Sequence, residues 1–363
     1  MTFSCIKDNF EKAILIAERF TGKNITLPIL GNVLLEVVGN EMIITATNLE
    51  YGIQVTISGK GNDGKVSVPA KILSSLIQST KEEKINFEEN KENLLIKTET
   101  RDTKIKGMNT EDFPLIPKVK KQYSFSLESL QVKNAIEKVL PAISTSEFKP
   151  ELAGVLFFVS PQSIKLVATD TFRLSEKTIF SEKKITEESF SFILPHRVAT
   201  EVSRTLKEGK LQISYGENQV LFESDGVKIV SRVIDGNFPE YSGVIPKQFE
   251  ISLFLPKEEM AQIVRSSGIF SSKIQDISFL FKDKKLNIST ANQEIGEYKT
   301  SIPVDFNGKE LAVSFNYRYL FDGISVLDED EFFFGANGES APSLLRNKND
   351  NSLLYVLMPI RLS

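Results

Sequence analysis

The side chains best suited to covalent chemistry are nearly missing from this chain, which has one cysteine, Cys5, and one histidine, His196. A Cys/His zinc site needs several such ligands and a disulfide needs two cysteines, so neither can form within the chain. A triad that depends on histidine would have to use His196. That residue stands in Leu194-Pro195-His196-Arg197 with no nucleophile pattern around it, and reads as a polar residue in a helix's first turn. Gly61-Asn62-Asp63-Gly64-Lys65 lacks the spacing of a phosphate loop and the Ser/Thr after its lysine, so a hairpin turn is expected instead. The 48 carboxylates leave a carboxylate-only hydrolase open by number, but no pair stands out. No cofactor and no metal site are expected.

The elements that carry these residues belong to an ordinary globular chain. Its 363 residues exceed one core and imply two or three domains. Hydrophobic residues make up 41% and charged residues 25%, a normal balance for a globular protein. No apolar run approaches the ~18 residues of a membrane span. The start, Met1-Thr2-Phe3-Ser4-Cys5-Ile6-Lys7-Asp8, shows no basic segment followed by an apolar one, so a cytoplasmic protein with no membrane partner is expected. The formal net charge is −4, against the usual basic balance of a nucleic-acid binder. Where the charges sit matters more than their sum.

A threefold internal repeat organises the chain. Ile44-Thr45-Ala46-Thr47-Asn48, Leu166-Val167-Ala168-Thr169-Asp170 and Ile288-Ser289-Thr290-Ala291-Asn292 mark its copies, with 122 residues from Ala46 to Ala168 and again from Ala168 to Thr290. Val68-Pro69-Ala70-Lys71, Leu194-Pro195-His196-Arg197 and Phe315-Asn316-Tyr317-Arg318 each open a helix, with proline in the first turn of the first two. Asp112-Phe113-Pro114 closes the first copy, Asn237-Phe238-Pro239 the second, and Met358-Pro359-Ile360 the third. The expected domains are 1–121, 122–247 and 248–363. Within copy one, Phe10, Ala13, Ile14 and Ala17 recur at helical spacing, and Ile72, Leu73, Leu76 and Ile77 form a second stripe. Val33–Val38 and Glu41–Thr47 read as strands around Gly39-Asn40. Two helices on β-sheet, three times over, is an α+β architecture.

The helices carry basic residues opposite their apolar stripes. Lys12 and Arg19 share a face, followed by Lys23 and Asn24. Lys71 opens the second helix, and Lys133 and Lys138 lie on the third. Arg197, Arg204 and Lys207 share a face of the fourth, Lys257 and Arg265 belong to the fifth, and Arg318 opens the sixth. Such residues are ordinarily solvated surface. If equivalent helices face one axis, however, an acidic chain gains a basic lining suited to sequence-independent phosphate contact.

The repeat and four ordered segments identify a resemblance. Thr26-Leu27-Pro28-Ile29-Leu30-Gly31-Asn32, Val167-Ala168-Thr169-Asp170-Thr171-Phe172-Arg173-Leu174, Asp235-Gly236-Asn237-Phe238-Pro239-Glu240-Tyr241 and Tyr355-Val356-Leu357-Met358-Pro359-Ile360-Arg361-Leu362 span all three copies. Together they resemble the bacterial DNA polymerase III beta subunit family, the sliding clamps. The resemblance implies three domains of the DNA clamp fold in a head-to-tail homodimeric ring. Such a ring encircles double-stranded DNA without reading its sequence. It implies a non-catalytic processivity subunit of the DNA polymerase III holoenzyme. The implied partners are the polymerase III catalytic subunit, the clamp loader, and other polymerases and repair proteins carrying clamp-binding motifs.

By motif matching, the family's partner-peptide pocket falls on Leu152, Thr169, Thr171, Phe172, Arg173, Leu174, Pro239, Gly243, Val244, Val356, Leu357, Met358, Pro359, Ile360, Arg361 and Leu362. Ser340 and Pro342 are placed there by local alignment. Arg173 is expected to be a donor at the pocket's edge, and about half of these residues to be ordinary core, because strand side chains alternate faces. Arg101 to Met108, with Thr103, Ile105 and Gly107, should form a dimer edge against domain three, aided by Ile269 and Phe270. The chain departs from the family in four places. Phe172 stands where histidine is frequent, Gly243 where a basic residue is common, and Asn24 where an arginine faces DNA. Pro150 and Glu151 fall where DNA-contacting aromatics can occur. Two rival readings remain on sequence alone: a tandem-domain scaffold without a DNA role, and a carboxylate-dependent hydrolase.

Overall fold

The computed structural model describes residues 1–22, 26–146, 148–306 and 308–361. The first repeat runs β1 (Thr2–Ile6), α1 (Lys7–Glu18), β2 (Asn32–Val38), β3 (Glu41–Thr47), β4 (Tyr51–Ser58), β5 (Lys60–Asn62), β6 (Gly64–Pro69), α2 (Ala70–Ser79), β7 (Lys84–Asn90), β8 (Asn93–Lys97) and β9 (Asp102–Ile105). The second runs β10 (Tyr123–Glu128), α3 (Ser129–Val139), β11 (Gly154–Val159), β12 (Ser163–Thr169), β13 (Arg173–Phe180), β14 (Phe190–Pro195), α4 (His196–Thr205), β15 (Lys210–Gly216), β16 (Gln219–Ser224) and β17 (Val227–Arg232). The third runs β18 (Ile251–Pro256), α5 (Lys257–Gly268), β19 (Asp276–Lys282), β20 (Lys285–Asn292), β21 (Gly296–Pro303), β22 (Leu311–Asn316), α6 (Tyr317–Val326), β23 (Glu331–Ala336), β24 (Ser343–Asn347) and β25 (Leu353–Leu357).

Contacts group the chain into two units, Met1–Gln131 with Glu201–Val233, and Val132–Thr200 with Ile234–Ser363. The first unit holds a five-stranded sheet, β5-β1-β7-β8-β9, and an eight-stranded sheet, β10-β15-β16-β17-β4-β3-β2-β6. The second holds an eight-stranded sheet, β14-β11-β12-β13-β25-β24-β23-β18, and a four-stranded sheet, β21-β20-β19-β22. Each eight-stranded sheet joins two repeats through one antiparallel seam, β17 on β4 and β25 on β13.

The sequence markers have local physical causes. Asn48 Oδ1 accepts from the backbone N–H groups of Glu50 and Tyr51, and Asp170 Oδ1 from those of Phe172 and Arg173. Thr47 and Thr169 hydroxyls donate to the Tyr51 and Arg173 carbonyls. The marker is therefore an Asx turn that reverses one strand into the next. It holds Leu49 and Thr171 at φ of 79° and 78°. Asn292 Oδ1 accepts from Glu294 N in the third copy.

The helix-opening prolines lie one residue earlier than expected: Pro69 and Pro195 end strands, and the helices begin at Ala70 and His196. Asn316 takes that position before α6, its Oδ1 accepting from Arg318 N and Tyr319 N. A capping side chain thus does in the third copy what proline's fixed φ does in the others.

Two local expectations are corrected. Gly61–Lys65 is not a hairpin, because β5 pairs with β1 and β6 with β2, in different sheets. Asp63 sits at the corner between them and accepts from Gly39 N at 2.8 Å. Ile72 is 57% exposed, and α2 buries Ala70, Leu73, Ser74 and Ile77 instead. A ten-residue helix packed by one face follows its i, i+4 row, and Ile72 lies about 100° off it. Phe10, Ala13, Ile14 and Ala17 are all buried as the stripe of α1. Cys5 is buried and burial pushes its thiol up to about 12, so it carries little thiolate. Burial lowers the pKa of His196 at the start of α4.

Candidate functional site

The C-terminal segment builds the first candidate site, within the second unit. β25 lies between β13 and β24, with Leu357 opposite both Arg173 and Ser343. The strand stops there, one residue before the segment containing Pro359, which cannot donate to a ladder. Met358 N donates to Phe172 O at 2.8 Å, and Ile360 N to Ser314 O on β22 at 2.7 Å. These two bonds hold the tail along the sheet's end. Met358, Pro359 and Ile360 are half-buried and Arg361 is exposed.

The matched residues separate by burial. Leu152, Thr169, Leu174, Val356 and Leu357 are core. Thr171, Pro239, Gly243 and Ser340 are exposed, Pro342 is half-buried, and Phe172 and Val244 are 59% and 46% exposed. Leu174 and Val356 join a cluster with Leu156, Val167 and Ile193 on one face of the sheet. Phe238, Tyr241 and Ile245, from the connector that carries Pro239, Gly243 and Val244, pack on that cluster. Tyr241 Oη donates to Glu176 Oε2 at 2.5 Å, and Lys165 pairs with the same buried carboxylate at 3.1 Å. Burial, then the bond to Glu176, raises the Tyr241 pKa. Ser340 and Pro342 precede β24, beside the end of β25. Leu152 is buried in the turn before β11. Leu362 lies outside the described residues.

Arg173, expected as a donor at the pocket's edge, donates within the fold. Its Nε donates to Asp170 Oδ2 at 3.0 Å, its Nη1 bonds Asp322 Oδ2, and its guanidinium lies 4.1 Å from the ring centroid of Tyr319. Tyr319 O in turn accepts from Tyr355 Oη at 2.9 Å. Asp322, Tyr319 and Ser314 were not read from the sequence. No spacing rule links Arg173 to a carboxylate 149 residues away.

The basic residues also divide. Lys12, Lys71, Arg197, Arg204, Lys207 and Arg265 are exposed, and Lys133 is half-buried. The stripe behind Arg197 and Arg204, Val198 and Val202, is fully buried. Lys207 lies two residues beyond α4 rather than on it. Arg204 pairs with Glu201 at 3.3 Å, and Arg265 stacks on Phe321 at 5.1 Å. Arg19 is held by Glu201 at 2.5 Å, and Lys257 donates to Leu327 O at 2.5 Å. Lys138 does not belong to an open face: it is 9% exposed and paired with Asp328. Burying an ammonium requires such a partner. Lys23 and Asn24 lie outside the described residues.

The predicted dimer residues lie at a sheet margin. β9 is the edge of the five-stranded sheet and carries half-buried Thr103 and buried Ile105. Gly107 follows where a Cβ would come within 1.9 Å of Glu92 O, so only glycine allows Met108 to bridge to Ser67. In the second unit, Ile269 is 67% exposed, and Phe270 stacks on Tyr298 of β21, itself an edge strand.

Comparison with known proteins identifies the family of the chain. Models of the DNA polymerase III beta subunit match residues 1–117 (N-terminal domain), 126–240 (central domain) and 242–361 (C-terminal domain). The chain belongs to the DNA polymerase III beta subunit family. Among family members, the Staphylococcus aureus beta sliding clamp is 26% identical over 376 residues, covering 99% of each chain. The DNA polymerase III beta subunit of Pseudomonas aeruginosa superposes with a TM-score of 0.94 at 24% identity, and the sliding clamp of Bacillus subtilis with 0.94 at 23%, each over 100% of both chains. This likeness shows a shared fold, the three-domain clamp fold. Family membership makes the chain a bacterial DNA sliding clamp in function and not an enzyme, and sets aside the scaffold and hydrolase readings.

Proposed function

We propose that two copies of this chain close head to tail into a ring around duplex DNA. The observation that carries this reading is the pair of open sheet edges, β9 and β21. Within the chain, β4 of repeat one receives β17 of repeat two, and β13 of repeat two receives β25 of repeat three. The strand of repeat three equivalent to β4 and β13 is β21, and the strand of repeat one equivalent to β17 and β25 is β9. Pairing β21 with β9 of a second copy repeats the seam a third time, and twofold symmetry makes that contact twice. Carrying over the register of the internal seams sets Thr103 opposite Tyr298 and Ile105 opposite Gly296. It also sets Lys104 opposite Glu297 and Asp102 opposite Lys299. Both charged pairs have opposite signs, which suits cross-strand neighbours. Ile269 and Phe270 flank this contact.

In this reading the domains are 1–121, 122–247 and 248–363, and the ring works in the cytoplasm. Its helices face DNA with Lys12, Lys71, Lys133, Arg197, Arg204, Lys207 and Arg265, while Arg19, Lys138 and Lys257 act within the protein fold. Phosphate contact carries no base information, so such a lining permits sliding. The tail, Phe172, Pro239 and Val244 take short apolar segments of the polymerase III catalytic subunit, the clamp loader and repair proteins. An extended apolar peptide suits the floor, and Met358 can adapt to varied ligands.

Reversing Arg197, Arg204 and Lys207 together to glutamate tests the DNA-facing side. The buried Val198 and Val202 are untouched, so the chain should fold. Losing three phosphate contacts should reduce the slope of log affinity against log salt by roughly 2–3, equally across duplex sequences. An unchanged slope would remove these residues from the DNA path.

A further inference from the structure

We infer that Asp322 is a positioning residue for the partner-peptide site, acting through a clasp around the Arg173 guanidinium. The inference rests on reading the tail and its surroundings as that site.

The turn before β13, β13 itself and α6 meet at this one cation. Asp170 belongs to the turn that presents Thr171 and Phe172, and its second oxygen already accepts from two backbone N–H groups of that turn. Arg173 begins β13, which pairs directly with the end of β25. Tyr319 and Asp322 lie on α6, with the Tyr319 ring against the guanidinium and Asp322 bonded to Nη1. The Tyr319 carbonyl receives the buried Tyr355 hydroxyl, which fixes β25 to α6. From the same turn, Phe172 O accepts from Met358 N and so sets where the tail leaves the sheet.

The Arg173 side chain is only 12% exposed, as is Asp170, whereas Asp322 is 37% exposed. Arginine's planar fork suits such a junction, because its directions are fixed and several acceptors can be held at once. Asp170 alone satisfies Nε and ties the turn to itself. Asp322 adds the bond from a different element, and so locks the turn, and with it Phe172 O and Met358, to α6. Without Asp322 the turn keeps its internal bonds, and the guanidinium meets α6 only through the Tyr319 ring, which sets no hydrogen-bond direction. The apolar surfaces of Phe172 and Met358 then no longer hold one spacing.

The test uses the full-length dimer and a fluorescently labelled synthetic peptide carrying the clamp-binding motif of a polymerase III catalytic subunit. Asp322→Asn should weaken the peptide about tenfold, with native mass and thermal midpoint close to wild type. Asp322→Glu, which keeps the charge, should recover most of the loss. Lys177→Ala removes the pairing of the same strand with Asp350, away from the tail, and should leave affinity unchanged. Equal affinity in Asp322→Asn, or tighter binding because Arg173 is freed for the peptide, overturns the clasp. Weakening by Lys177→Ala to the same degree reduces Asp322 to general stability and overturns it too. If Asp322→Asn fails to fold, Asp322→Glu decides: affinity far below wild type in a folded dimer contradicts rescue by charge. A wild-type chain that does not bind the peptide overturns the site reading itself, and the clasp with it.

Discussion

A chain truncated after Leu357 should lose the partner peptide and keep its second copy. The tail contributes no rung to the sheet, since β25 ends at Leu357 and its pairing with β13 and β24 is complete there. What deletion of Met358 to Ser363 removes is the half-buried run of Met358, Pro359 and Ile360, together with its two bonds to Phe172 O and Ser314 O. Each apolar peptide side chain that this wall buries is worth ~1.5–3 kcal/mol. Losing two such contacts should weaken binding roughly a hundredfold or more. The dimer edges, β9 and β21, lie on other sheets and should be unaffected. Peptide titration against intact and truncated protein, with native mass followed in parallel, checks both halves. Equal affinities would place the site elsewhere, and loss of the dimer would make the tail structural.

Lys104→Pro should convert the dimer to monomer. Thr98 N donates to Arg101 O across the β8–β9 turn, so the bonding pairs within that hairpin are Thr98 with Arg101, Ile96 with Thr103 and Leu94 with Ile105. The N–H groups of Asp102 and Lys104 therefore point away from β8, toward the open edge. The internal seam behaves in the same way, with Arg232 N donating to Glu50 O and Thr56 N to Gly226 O. Proline at 104 deletes one outward donor and places its ring where a partner strand must lie, while the bonds to β8 survive. Leaving the facing carbonyl without its donor costs about 1–3 kcal/mol at each contact, roughly tenfold to a hundredfold in affinity each time. Native mass at micromolar concentration reads the result. A folded Lys104→Pro chain that stays dimeric would remove β9 from the interface.

The sequence made the repeat legible because its markers are local chemistry. An Asx turn needs Asn or Asp at one position, so Asn48, Asp170 and Asn292 stand out without any knowledge of packing, as do Pro69, Pro195 and Asn316 before their helices. The pocket list was legible only as a stretch of chain. Which members face outward depends on where turn gives way to strand and on the connector laid over the sheet, so Phe172 in the turn is 59% exposed and Leu174 within β13 only 3%. The basic faces failed where tertiary partners intervene: Lys138 has Asp328, Arg19 has Glu201, and Lys257 has a backbone carbonyl. None of these partners is near in sequence, so helical spacing had no access to them. Ile72 shows the same limit, since an apolar residue beside a stripe is indistinguishable from one within it until the neighbouring elements are placed.

A closed ring holds DNA by enclosure rather than by affinity, so opening the DNA circle should release it. The chain is loaded onto nicked circular plasmid with its clamp loader and ATP, freed of unbound protein, and followed at a salt concentration that screens phosphate contacts. Half of the sample is then cut once with a restriction enzyme. Retention on the circle with rapid loss from the linear DNA is the predicted result. Equal retention on both forms, or release from the intact circle as fast as from the cut one, would contradict a closed ring.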